Sequence, residues 1–251
     1  MNLRPFALVT ALLLVAACKP AFNAAAYSST DELFKVANAE YKAKRWDNAV
    51  HAFERLTTEL SPRDSRIAAA YYFLGKSQEK MGDHLLAAKS YSRVYELLPR
   101  DTLADDALLA SGEAYQWMWR KPALDAEYGQ DALTQYQTFI GYYPDSPLLP
   151  EVNRQMSKLD EWFAEKDYET GIHYLKRKAY DSAIIYFKDV IRLHSTAKVT
   201  RDAYMRLDEA YRAINYKDDA RDLCDTMRKT YPADREVLRT CGPAPPASAS
   251  K

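Results

Sequence analysis

The chain has 251 residues, and its 35 lysines and arginines are balanced by 35 aspartates and glutamates. A chain without net charge is excluded as a mainly nucleic-acid-binding protein, because neutralising phosphates takes a basic excess, and it offers no cationic helix for a membrane surface. Only 7 glycines among abundant Ala, Leu, Lys, Glu and Arg point away from strand-rich architectures and to an all-α fold.

The first predicted element is a targeting segment. Arg4 precedes the uncharged run PFALVTALLLVAA, which ends at Ala17. That run is shorter than the ~20 residues a spanning helix needs and suits the apolar region of a signal peptide. It closes on Val15-Ala16-Ala17-Cys18, which resembles the lipobox of bacterial lipoproteins. Small residues there fit a narrow peptidase site, and the Cys thiol receives a diacylglyceryl group. The resemblance implies a signal peptide over 1–17, a palmitate-bearing anchor on Cys18, and a flexible tether over 18–29. Several acyl chains hold far better than one, at about 0.8 kcal/mol per buried methylene. Lys19, standing where Asp would retain the protein at the inner membrane, implies sorting to the outer membrane.

Helices follow, separated by prolines at 62, 99, 122, 144, 147, 150 and 232. Between them apolar residues recur with helical period. The first pair carries Leu33, Val36 and Ala37, then Ala49, Phe53 and Leu56. The second carries Tyr71, Leu74 and Gly75, then Ala87, Tyr91 and Pro99. Gly75 and Ala87 are small so that two antiparallel helices can approach; leucine at 75 would clash near Ala87, whereas alanine would be tolerated. The third pair carries Leu108, Gly112 and Tyr115, then Ala132, Tyr136, Phe139 and Pro144, with an insertion at 119–127. The fourth opens on a long helical segment over 151–178, whose part from Val152 to Phe163 packs back on the third pair. It continues through Gly171, Tyr174, Ala183, Phe187 and Val190. The fifth carries Tyr204, Leu207, Tyr211, Ala220 and Pro232. Ala49, Ala87, Ala132, Ala183 and Ala220 share one small-residue slot. The pattern resembles the tetratricopeptide repeat, and implies a solenoid of about five helix pairs over 30–232. Residues 233–251, ending PAPPASASK, read as a disordered tail by composition.

No catalytic constellation emerges. His51, His84, His173 and His194 are not paired in metal-ligand spacing, and no HExxH, phosphate-binding loop or GxSxG occurs. No cofactor, metal or enzymatic activity is expected. Cys224 and Cys241 suit either a periplasmic disulfide or two separate thiols. What remains is a surface. The repeat register places Phe34, Asn38, Tyr41, Tyr72, Lys76, Glu79, Leu109, Glu113, Gln116 and Trp117 in a peptide groove. Phe34 and Trp117 suit packing between helices equally well.

Asp125 through Ser146, the run YLKRKAYDSA from Tyr174 to Ala183, and Thr200-Arg201-Asp202-Ala203 resemble the BamD family of outer-membrane protein assembly lipoproteins. His194-Ser195 departs from its usual Tyr-Pro, and Gly171 from its usual Ala. The resemblance implies a lipid-anchored adaptor on the periplasmic face of the outer membrane. It implies binding to periplasmic domains of the barrel subunit BamA, to β-barrel precursors, and in some lineages to other assembly lipoproteins. Arg201 carries over as the BamA contact, against the alternative of a solvated surface arginine. Another tetratricopeptide lipoprotein, a secretin pilotin or a cell-division coordinator, is the second reading; a solenoid enzyme is the third.

Overall fold

The computed structural model describes residues 22–243. The expected signal peptide, Cys18 and the end of the expected tail lie outside the described residues. Those described are all-α: a single 3-10 turn (Ala24–Ala26) and eleven α-helices. They are α1 (Thr30–Lys42), α2 (Trp46–Glu59), α3 (Ile67–Met81), α4 (His84–Leu97), α5 (Ala104–Met118), α6 (Glu127–Tyr142), α7 (Leu149–Lys176), α8 (Tyr180–Leu193), α9 (Thr200–Ala213), α10 (Lys217–Thr230) and α11 (Arg235–Cys241). Among the described residues no helix is long and apolar enough to cross a membrane. The chain divides into two compact units, one through Ala107 and one from Leu108.

In the first unit α1 packs on α2, α2 on α3, and α3 on α4. Leu33, Ala37, Ala49, Phe53 and Leu56 are fully buried at its centre. Ser29 starts α1, its hydroxyl accepting from the Asp31 N–H. Of the expected tether over 18–29, the residues from 22 are described, and they are packed. Phe22, Ala24 and Tyr27 pack on the core, and the Arg55 guanidinium donates to the Ala24 carbonyl. The apolar residues of that stretch have a surface to cover, so the segment from 22 onward is seated.

The second unit continues with α6 on α7, α7 on α8, α8 on α9, and α9 on α10. Pro150 lies in the first turn of α7, where its missing N–H costs nothing. The upstream half of α7 meets residues of the third pair, as expected: Trp162 and Phe163 pack on Trp119.

Two recurrent slots explain why the helices pair. A Cβ on Gly75 would lie 2.7 Å from the Tyr91 ring, one on Gly112 2.3 Å from Tyr136, and one on Gly171 2.6 Å from Phe187. In each pair the first helix presents bare backbone to an aromatic face of the second. The Tyr91 ring is what lies nearest to Gly75, and alanine there clashes too. In the last pair this slot is reversed: buried Asp208 stands where the glycine would, opposite the smaller Cys224. The second slot is the turn between paired helices, where Lys44, Gly82, Lys178 and Asn215 all have positive φ.

Of the expected tail over 233–251, the described part includes a helix. Asp234 caps α11 by accepting from the N–H groups of Glu236 and Val237, Val237 is fully buried, and Cys241 forms a disulfide with Cys224 on α10. Composition signals disorder when apolar residues are scarce, but one buried valine, a cap and a covalent bond suffice for two turns.

Candidate functional site

The predicted groove residues fall in both units. In the first, most are claimed by internal contacts. Phe34 packs on the core, edge-on to Phe53 at 6.4 Å, with the Arg66 guanidinium over its ring. Asn38 donates to the Phe34 carbonyl, 2.7 Å away on the preceding turn. Tyr41 is wedged between Trp46 and Phe73, at 5.3 and 5.0 Å. Glu79 accepts from the Tyr91 hydroxyl at 2.8 Å. Burial pushes that hydroxyl's pKa up, and the neighbouring Glu79 charge pushes it further, so Tyr91 is a fixed donor. The remaining two are part-buried and pair with each other: Lys76 lies 5.1 Å from the centre of the Tyr72 ring.

In the second unit three predicted residues, Glu113, Gln116 and Trp117, line one cavity of about 400 Å³ together with Trp119, Arg120, Gln155 and Trp162. It holds three of the chain's four tryptophans. Trp117 is half exposed and stacked by Arg120 at 4.1 Å. Trp119 forms the wall: it is buried, edge-on to Trp162 at 5.4 Å, and covered by Gly129, where a Cβ would lie 2.3 Å from its ring. Its indole N–H has no hydrogen-bond partner among the described residues. Gln116 accepts from the Tyr136 hydroxyl at 2.8 Å, whose pKa is raised by burial and then by the charges of Glu113 and Glu151. Gln155 reaches Glu151 at 2.6 Å and Glu113 at 3.3 Å. Leu109, expected in the groove, is buried instead. Beside fully buried Leu108 within α5, the apolar Leu109 side chain is drawn into the core by the same burial that forms the pair.

Trp119, Arg120, Gln155 and Trp162 were missed by the register. The first two stand at the entry to the insertion, and the last two on the extra turns of α7, where repeat spacing says nothing. The surplus of tryptophan in just these two irregular stretches was the available signal.

Arg201 is not a free cation. Its guanidinium meets Asp234 through two hydrogen bonds of 3.0 Å, Glu236 at 2.6 Å and Asp202 at 2.7 Å. The first turn of α9 disfavours a positive charge, and three carboxylates of the same chain compensate it. The Arg201 guanidinium, in turn, holds the Asp234 carboxyl down at about 2.

The outer membrane lipoprotein family designated YfiO matches residues 27–225. The outer membrane protein assembly factor BamD of Xylella fastidiosa is 25% identical over 199 residues, covering 78% of this chain and 59% of that protein. The BamD of Caulobacter vibrioides is 24% identical over 196 residues, covering 76% and 62%. The chain thus spans less than two thirds of the length of these relatives. Among solved structures, a thermophilic tetratricopeptide protein of Thermus thermophilus is 21% identical with a TM-score of 0.36, covering 84% of this chain and 97% of that one.

Proposed function

The chain belongs to the YfiO family of outer membrane lipoproteins, and on that premise we propose that it is a lipid-anchored adaptor of the outer-membrane β-barrel assembly machinery. Cys18 is the acylated residue, and the all-α unit is held at the periplasmic face of the outer membrane. The cavity of Trp117, Trp119, Arg120 and Trp162 takes a segment of a barrel precursor, and the α9–α11 end meets periplasmic domains of BamA. The observation that carries this reading is the cavity itself. Aromatic walls, a stacked arginine and two glutamines supply the apolar anchor and the few polar contacts that fix an extended peptide. Arg201 serves BamA binding by keeping α11 seated, and reaches a partner's carboxylate only by releasing Asp234 or Glu236.

The test is a pair of titrations of the full-length protein, against a BamA periplasmic fragment and against a barrel C-terminal peptide. Trp117→Ala is expected to weaken peptide binding at least tenfold and to spare BamA. Arg201→Ala is expected to do the reverse. Equal losses for both ligands in either variant would refute the division. Recovery of a secretin rather than a large β-barrel, on purification from outer membranes, would favour the pilotin reading.

A further inference from the structure

The second unit carries a larger cleft than the tryptophan cavity, about 870 Å³, between α6, α7 and the loop after α8. Its size falls in the range of ligand-binding clefts. The wall is apolar: Leu133 on α6, Met156 and Phe163 on α7, and Leu193 at the end of α8. Leu193 is 53% exposed, a large apolar side chain left at the rim.

Acids outnumber the one lysine set into this wall. Asp160, Glu161 and Asp167 all line the cleft. Asp160 takes the His194 Nδ1 at 2.6 Å, and Asp167 lies 3.8 Å from the Nε2 of the same ring. Glu161 accepts from the Lys198 backbone N–H. Lys166 is the lysine of the lining, and its ammonium is turned to the Leu124 carbonyl at 2.8 Å. Asp160 and Asp167 thus share one imidazole, Glu161 takes a backbone N–H, and no guanidinium is among the lining residues. Burial raises the Asp167 pKa, against the pull of His194 and with a smaller push from the charge of Asp189.

We infer that this cleft is a docking site for an arginine side chain flanked by apolar residues, presented by a segment of a partner protein. Arginine matches both halves of the site. Its methylene stem lies along apolar surface while the charged head reaches polar groups, and its planar fork pairs with carboxylates through two hydrogen bonds. A flanking leucine or phenylalanine covers Leu193. The site is independent of the tryptophan cavity and of the α9–α11 end, and stands or falls separately from them.

The probe is the capped tripeptide acetyl-Leu-Arg-Phe-amide, titrated into full-length protein carrying labelled methionine methyls. Binding is expected to shift Met156 and to leave Met81 and Met227 unmoved. Replacing the arginine by citrulline, which keeps the shape and removes the charge, should weaken binding at least tenfold. Asp160→Asn combined with Asp167→Asn should do the same. Because that pair also loosens His194, Gln130→Lys on the exposed rim gives a second variant that adds a competing cation without touching the core. It too should cost at least tenfold. Citrulline binding as well as arginine, no shift at Met156 up to millimolar peptide, full binding to Gln130→Lys, or agmatine alone binding as tightly as the peptide would each overturn the proposal.

Discussion

At the residue scale, two positions with opposite needs show how the repeat is built. Gly75 is held by the buried ring of Tyr91, and that ring is itself pinned through its hydroxyl to Glu79. It cannot swing away from an added methyl. Gly75→Ala is therefore expected to destabilise the protein by about 1–3 kcal/mol as overpacking. Gly141→Ala, on a helix with nothing within 4 Å, should stabilise by up to ~1 kcal/mol through helix propensity. Chemical denaturation of the two variants checks both signs. Lys178 poses the reverse case, since its φ of 59° costs a side-chain-bearing residue about 1–2 kcal/mol. Lys178→Gly removes that strain and costs about 0.5–1 kcal/mol of backbone entropy, so a net gain of roughly 0.5–1 kcal/mol is expected. The chain uses glycine at the matching turn position 82. The small-residue slots were legible in the sequence. Which atoms press on them was not, because a one-dimensional register gives the phase of a helix and not the rotamer of its neighbour.

At the element scale, α11 is the least predictable part of the fold. Three devices hold it: the Cys224–Cys241 disulfide, the Arg201 cluster, and a hydrogen bond from Arg228 to the Cys241 carbonyl. The disulfide closes a separation of 17 residues, for which the loss of chain entropy predicts about 3 kcal/mol. Cys241→Ser should lower the unfolding free energy by about that much and speed amide exchange in α11, while leaving protection of the first unit unchanged. Acid acts on the second device. The Asp234 carboxyl is lowered to about 2 in the folded chain, against roughly 4 in an unfolded one. Its contribution is complete above pH ~4 and is lost as pH falls toward 2. Asp64, held down to about 2 by Arg66, behaves the same way in the first unit. Protection factors of α11, corrected for the intrinsic exchange rate at each pH, should accordingly fall between pH 4 and 2 in the wild type. In Asp234→Asn they should be low already at neutral pH, with no further step there.

At the scale of the whole molecule, the proposed anchor on Cys18 is read from the chemistry of its segment alone, and it lies outside the described residues. Cys18→Ser is expected to abolish labelled palmitate incorporation and to release the protein from the outer-membrane fraction; unchanged fractionation would refute lipid anchoring. The all-α class, the helix pairs, their small-residue slots, the long seventh helix and the family were all contained in the sequence. Periodicity, proline spacing and a lipobox-like end are local properties, and local properties survive in one dimension. Tertiary structure alone decided the rest. It seated residues 22–29 and α11, which composition had marked as loose, because a short segment's order depends on the surface available to it. It buried Leu109, turned Arg201 to three carboxylates, and gathered Trp117, Trp119 and Trp162 from a helix end, a loop and the long α7 into one cavity. Pairings across such separations are set by how helices pack, and the pattern along each helix carries no record of them.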